Sequence, residues 1–579
     1  MKNILSASLL TILLSISTTV FSQEKQSVNI DEKNKNQQRY FDINKNIDIY
    51  SNVLRELDLF YVDSLNLTKT VRVGIDNMLK SLDPYTEYYN EDDMKDFTIM
   101  TTGEYAGVGA SIAYKDSVIT ITDLFEGMPA DKAGLKIGDA ILSIDGQNMT
   151  VCDKEEGQTY GQTLSRFVSA SLKGQPGSVI AIKVQRPGEK KLLEYKVTRE
   201  KIVMEAVPYY GLIAPNVGYI GLSTFTDKSA SEVKIALQEL ETQGITSLVL
   251  DLRQNGGGIL EQAIQIVNLF VPRGKEVLST KGKIKQWDRT YRTTLDAIAE
   301  DIPLVVLVDR GSASASEIVA GALQDMDRAV LVGERTFGKG LVQSTREIPY
   351  GGSLKVTMSK YYIPSGRCVQ AIDYSHRNSD GSVGRIPDSL TTVFRTAAGR
   401  PVRDGGGVSP DIALDDEKLV SISLYMENQY IIFDWVTKWM ANRKTISEPN
   451  KFSISDADYE DFKTFVKSKD FKYDMLSDKN LKSLKEIMEF EGYLDTAAEE
   501  IKALEAKLVP DLNRDLDTFK ENIMKHINSE IVKRYYYKKG EYAYTLTIDN
   551  GVEKAIEVLN DQNRYNKILS APQQEDKQD

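Results

Sequence analysis

Two segments of this chain carry residue types that could perform acyl transfer together. In RGSASASEIVAGALQD, residues 310–325, Ser314 stands just before a nearly charge-free run with helical periodicity. In TFGKGLVQ, residues 336–343, Lys339 lies between Gly338 and Gly340, with Gln343 one short step further on. A serine hydroxyl attacks a carbonyl carbon only if a base accepts its proton. The chain has two histidines, His376 in a polar stretch and His526 in a distal charged segment. Neither sits at the end of an apolar strand, so a Ser-His-Asp triad is hard to assemble. A lysine kept neutral by burial is the remaining base, because removal from water disfavours the ammonium form. The Gln343 amide could hold such an amine without adding a charge. The alternative is an exposed loop lysine, since lysine is seldom buried.

Ser-Ala-Ser-Glu occurs twice, at 229–232 and at 314–317. Serine followed three residues later by glutamate before an apolar-periodic run is a capping box, worth about 1 kcal/mol and no chemistry. Both copies fit it. Their flanks differ: EVKIALQELETQG after Ser229 spreads charges around one apolar stripe, which predicts a surface helix. EIVAGALQDM after Ser314 is crowded with Ala320, Gly321 and Ala322, which predicts a buried, closely packed helix. That copy also follows the apolar run LVVLVD through a tight turn, so the helix N–H groups would face whatever the hydroxyl attacks. Upstream, SLVLDLRQNGGG ends a strand in Gly256, Gly257 and Gly258. Bare backbone N–H groups at such a turn can hold an oxyanion, and losing one donor typically costs about 10²–10³ in rate. A phosphate site would need a Gly-Lys-Ser/Thr motif, which is absent.

These residues must be positioned by a larger scaffold. At 579 residues the chain is too long for one core. From about 199 to 415 apolar runs (VGYIGL, SLVLDLR, PLVVLVD, AVLVGE) alternate with helical patterns, which predicts an α/β core with strands buried on both faces. A polar excursion is expected at about 373–406. Residues 103–198 carry short β-rich runs between Gly and Pro turns. Residues 40–102 read as a helical N-terminal region and 416–570 as charged amphipathic helix. The polar stretches 23–39 and 571–579 are expected to be disordered.

SASASEIVAGALQD followed by GERTFGKGLVQ resembles the signature of the C-terminal processing (tail-specific) peptidases, the serine peptidases of family S41. The resemblance puts the catalytic serine on Ser314, the lysine on Lys339 and its orienting glutamine on Gln343. It implies an oxyanion hole from Gly257 or Gly258 with the N–H of Ala315. The family usually has proline where this chain has Gly256. LDPYTEYY, YYIPSGRCVQ and GGGVSPDI are similar to family landmarks in the same order, so the likeness spans about residues 40–415; Cys368 stands where serine is common. The implied fold is a multidomain α/β protein: a crotonase/ClpP-like S41 core, an inserted β-rich PDZ domain at 103–198, and helical regions at both ends. Within the PDZ domain, GVGAS resembles the loop that binds a peptide's C-terminal carboxylate, through Gly107, Val108, Gly109 and Ala110. PADKAGLKIGDAILSIDG strengthens that likeness. Arg186 matches a position that in some relatives couples the PDZ domain to the active site.

A formal net charge of −12 argues against nucleic-acid or anionic-membrane partners. KRYYYKK, residues 533–539, is accordingly read as a solvated helix end rather than a nucleic-acid patch. Cys152 and Cys368 are far apart, so no disulfide framework or metal site is expected, and no cofactor is called for. Residues 1–22 read as a secretory signal, with an uncleaved anchor as the alternative; no later segment has the apolar length to span a bilayer. The expectation is an exported, periplasmic serine endopeptidase acting on protein substrates captured by their C-terminal tails, with a homodimer through the terminal helices. Its rival is an inert PDZ-bearing scaffold that binds tails without turnover.

Overall fold

The computed structural model describes residues 36–91, 93–155, 157–378, 382–415, 420–508 and 510–570. The expected signal segment 1–22 and the tail 571–579 lie outside the described residues, as does most of the lead-in. Residues 36–39, assigned above to that lead-in, are instead the start of a helix running over 36–60. Gln37, Gln38 and Arg39 are adequate helix formers, and Gln38 bonds Asp42 one turn on.

The chain divides into two compact units, residues 1–88 and 89–579. In the first, the 36–60 helix is followed by the helix Leu67–Lys80, capped by Asn66, whose side chain accepts from the Lys69 N–H. Phe41, Ile47, Tyr50, Phe60 and Met78 on these helices are exposed.

In the second unit, six strands form the central sheet in the order Tyr209–Ala214, Val217–Gly221, Ser247–Asp251, Leu304–Val308, Val330–Gly333 and Ile412–Ala413. The first pair is antiparallel and the others are parallel. The helices Ser229–Thr242, Leu260–Phe270 and Ala315–Asp325 cover one face, where Val233, Ile266 and Val319 meet Ile220, Leu250 and Val306. The opposite face, with Tyr219, Val249, Val305 and Val332, is covered by Val552, Ala555, Val558 and Leu559 of the helix Asn550–Asn560 and by Tyr565 of Gln562–Leu569. The apolar strands thus have both faces buried, and the last two helices among the described residues supply the second cover.

Residues 110–198 form a separate five-strand path beginning with Ala110–Lys115, plus a short side strand, packed on the helix Tyr160–Leu172. Ala110–Lys115 pairs on one side only within this sheet, with Val118–Leu124. The C-terminal helices have their own core around Trp435, Tyr459, Phe462, Ile523 and Ile527.

Three expectations change here. KRYYYKK does lie where one helix ends and the next begins, since non-helical Tyr537 (φ 56°, ψ −160°) divides Lys520–Thr545, but Lys533 through Tyr537 are partly buried rather than solvated. Arg534 is buried against Glu530 and the Phe433 carbonyl, and the Tyr535, Tyr536 and Tyr537 hydroxyls bond the Arg443 carbonyl, the Ile446 carbonyl and Asp131. Lys533, Arg534 and Lys538 pair with Glu530 and Glu541 only three or four residues away; what the local sequence does not reveal is that the tyrosines reach distant segments. The excursion 373–406 is exposed over its first part, but Thr396, Arg400 and Val402 are buried. Arg400 returns to the core by pairing with Asp327 and donating to the Gln324 carbonyl. The first Ser-Ala-Ser-Glu is no capping box either: Lys228 is the N-cap, Ser229 bonds the Thr224 carbonyl at 3.1 Å, and Glu232 accepts the Val207 N–H at 2.9 Å.

Candidate active site

The strand Leu304–Val308 ends in a turn fastened by Asp309, whose carboxylate accepts the N–H groups of Gly311 and Ser312. Ser314 follows, with φ 56° and ψ −111°. A serine in that region costs on the order of 1–3 kcal/mol, so its surroundings must hold it there. The helix Ala315–Asp325 begins immediately afterwards and is buried along its whole length, as its sequence predicts.

One buried carboxylate provides the restraint. Glu317 Oε2 accepts the Ser314 N–H at 2.9 Å and the Lys339 N–H at 2.8 Å. Its Oε1 accepts the Thr336 hydroxyl at 2.6 Å and the Gly338 N–H at 2.8 Å. The predicted capping box is therefore present, but its glutamate also ties the Lys339 loop to the Ser314 turn. Burial pushes the Glu317 carboxyl above its ordinary value, while these donors oppose that by favouring the anion. Tyr361, fully buried, donates to the Ser314 carbonyl from the other side at 3.3 Å.

The glycine turn lies against the same serine. A Cβ on Gly257 would stand 2.7 Å from the Ala313 carbonyl oxygen, 2.8 Å from Ser314 Cβ and 2.9 Å from the Ala315 nitrogen, and its φ is 97°. Only glycine fits. Gly258, at φ 147°, is pressed equally closely on the Phe225 carbonyl. Gly256 faces open space, so the residue that replaces the family's proline carries no steric demand. The two candidate oxyanion glycines differ in their N–H groups. That of Gly257 donates to Asn255 Oδ1 at 2.9 Å, whereas the bridge to Phe225 uses the Gly257 carbonyl and the Ile259 N–H and leaves the Gly258 N–H aside. Ala315, the first residue of its helix, has no carbonyl one turn earlier in that helix to accept its N–H.

Lys339 and Gln343 flank the start of the strand Leu341–Ile348, and both are partly buried. A bulge falls between Val342 and Gln343. Gln343 donates to the Thr357 hydroxyl at 3.1 Å on the neighbouring strand. The two histidines lie elsewhere: His376 is exposed and pairs with Asp373 in the polar excursion, and His526 pairs with Glu427 in the helical region.

Sequence reasoning missed the residue that bolts the glycine turn to the serine. Asn255 is fully buried; its Nδ2 donates to the Leu222 carbonyl at 2.7 Å, and its own carbonyl accepts the Ala313 N–H at 3.0 Å and the Ser316 hydroxyl at 2.8 Å. An asparagine directly before three glycines is the only signal, and it reads as an ordinary turn. Thr336 and Tyr361 gave no signal at all.

In the β-rich domain Gly107 ends the strand Glu104–Gly107, Val108 accepts the Ala130 N–H and Gly109, at φ 74°, accepts the Phe125 N–H. Ala110 opens the edge strand. Arg186 is held inside this domain: it bonds both oxygens of buried Asp139 at 2.7 Å, donates to the Gly134 carbonyl and lies over the Tyr195 ring. Cys152 and Cys368 are free thiols. Among the described residues no cluster of His, Cys, Asp or Glu could hold a metal ion, and no helix is long and apolar enough to cross a membrane.

Residues 216–375 match the model of peptidase family S41, residues 106–197 that of the PDZ domain, and residues 422–559 that of the probable PDZ-protease C-terminal helical domain. A carboxy-terminal-processing protease of Bartonella bacilliformis is 35% identical over 343 residues, covering 58% of this chain and 75% of the relative. A probable CtpA-like serine protease of Staphylococcus aureus strain N315 is 32% identical over 368 residues, covering 63% of this chain and 69% of the relative. Among solved structures, the photosystem II D1 C-terminal processing protease is 28% identical, covers 63% of this chain and 87% of its own, and overlaps with a TM-score of 0.34. The fold and site define a serine-type peptidase carrying a PDZ domain. The chain belongs to peptidase family S41, among the carboxy-terminal-processing proteases.

Proposed function

We propose that this protein is an exported endopeptidase that recognises protein substrates by their C-terminal tails and cleaves them with a Ser314–Lys339 dyad. The Ser314 oxygen attacks a backbone carbonyl carbon while the neutral Lys339 amine takes the hydroxyl proton. Gln343 orients that amine. The N–H groups of Gly258 and Ala315 hold the resulting oxyanion, Gly257 serving as the close-approach residue because its own N–H is engaged. The C–N bond then breaks, the lysine returns the proton to the leaving amine, and water hydrolyses the acyl-enzyme. The observation that carries this reading is the buried Glu317 carboxylate, which grips the backbone of nucleophile and base at once.

The tail would enter along the unpaired edge of Ala110–Lys115, its carboxylate held by the N–H groups of the Gly107–Ala110 loop. Coupling of PDZ occupancy to catalysis through Arg186 would require breaking its pair with Asp139. Residues 1–22 act as the export signal, placing the enzyme in the periplasm. The exposed apolar residues of the first two helices favour a homodimer, which light scattering on the purified protein tests. For the chemistry, Ser314→Ala and Lys339→Ala should each abolish fragment release from an unfolded substrate, with unchanged circular dichroism. Retained cleavage in either variant refutes the dyad.

A further inference from the structure

A glycine run has no side chains with which to fix its own shape, so the turn at Gly256–Gly258 depends on anchors around it. Asn255 and Gln254 are two of them: Gln254 bonds both oxygens of Asp309 at 2.9 and 2.6 Å. The third is Arg253, and its partner comes from far along the chain. Arg253 bonds Asp251 at the end of the central strand, at 2.6 to 3.0 Å. The other side of the guanidinium meets Asp549, with Nη1 to Oδ1 at 3.0 Å and Nη2 to Oδ2 at 2.8 Å. Such bidentate pairing fixes orientation as well as distance.

Asp549 is also the N-cap of Asn550–Asn560, accepting the Val552 N–H. That helix is built into the far face of the catalytic sheet. A Cβ on Gly551 would stand 3.0 Å from Arg253 Nη1, so the guanidinium packs directly on the helix start. Burial pushes the Asp549 carboxyl up, but Arg253 and the helix amides outweigh it and hold it below the ordinary range.

We propose that Asp549 is a positioning residue of the peptidase centre: through Arg253 it holds the Asn255–Gly258 turn, so the C-terminal helical region completes the active site. This rests on the Ser314–Lys339 reading. A region that only covered the sheet would need apolar contacts and a helix cap, and asparagine caps as well as aspartate. A carboxylate with both oxygens on one guanidinium is needed only if Arg253 must be oriented.

The test uses the full chain and an unfolded protein substrate with an apolar tail. Asp549→Asn keeps the cap and loses the charge. It should lower kcat on the order of 10- to 100-fold, the cost of a misplaced reacting geometry, with KM within about two-fold of the parent. Asp561→Asn serves as the control; Asp561 caps the next helix by accepting the Arg564 N–H, and its variant should keep both constants. Parental kcat in Asp549→Asn overturns the inference, as does an equal loss in Asp561→Asn. Loss of the folded near-UV signal together with activity also overturns it, since it makes Asp549 a stability element alone. Ser314→Ala is run in parallel: if it cleaves, the dyad itself fails, whatever Asp549 does.

Discussion

The two Ser-Ala-Ser-Glu copies have the same side chains at the start of two helices that cover the same face of one sheet. In the first, the serine is fully buried and its hydroxyl is consumed by the Thr224 carbonyl, while the glutamate reaches backbone N–H groups of one neighbouring loop, at Ala206 and Val207. In the second, the serine is forced to φ 56° and stays partly exposed, and the glutamate gathers four donors from two segments. Nothing inside the tetrapeptide makes this difference. The second copy has a glycine turn pressed against it and a lysine loop tied to it; the first has neither as a partner of its glutamate. Under the proposed dyad, reactivity is a property of what stands opposite a motif.

The comparison can be broken most directly at the serines. Ser314→Ala should reduce kcat by about 10⁴-fold or more, the usual loss for a nucleophile. Ser229→Ala should leave kcat unchanged and lower stability by about 1 kcal/mol, the worth of one buried hydrogen bond. A comparable loss of turnover in both would erase the distinction. The glutamates come next. In Glu317→Gln one oxygen becomes an NH₂ group facing N–H donors, so turnover should fall about 10²-fold or more. Glu232→Gln can still accept the Val207 N–H and should cleave normally.

A third contrast concerns the turn opposite Ser314. Gly257→Ala should lower turnover about 10²-fold, because its Cβ has no room beside Ser314 and Ala315, whereas Gly256→Ala faces open space and should be silent. Equal activities would show that the turn can move away. The smallest effect is on pH. Burial raises the carboxyls of both Glu232 and Glu317, so the folded state binds their protons more tightly than the unfolded chain does. Each therefore contributes less stability as pH rises from about 4.3 through its raised value. Glu232→Gln should flatten part of that slope in the dependence of Tm on pH while leaving cleavage intact.

Much of this was legible in sequence order. The apolar runs became the parallel strands, the charge-free segment became a wholly buried helix, and the scarcity of histidine pointed to a lysine. What failed was every inference that took a local pattern as complete. The first capping box was wrong because its glutamate reaches a distant segment instead, and the second, though formed, was incomplete as a description because Glu317 also reaches one. KRYYYKK looked solvated because Asp131 and the Phe433, Arg443 and Ile446 carbonyls, which its side chains meet, are supplied by segments distant in the chain. Arg400 looked like part of a surface excursion because Asp327 lies on another element.

By itself the sequence determined which segments are strands and helices, since periodicity and glycine placement act within a few residues. It also determined which side chains could carry out acyl transfer. Only the tertiary structure decided which serine is strained and gripped, which glycine N–H is already engaged, and that helices from the end of the chain close the catalytic sheet. Those outcomes depend on buried hydrogen bonds and ion pairs between residues far apart in the chain. Such partners become neighbours only after the core has formed.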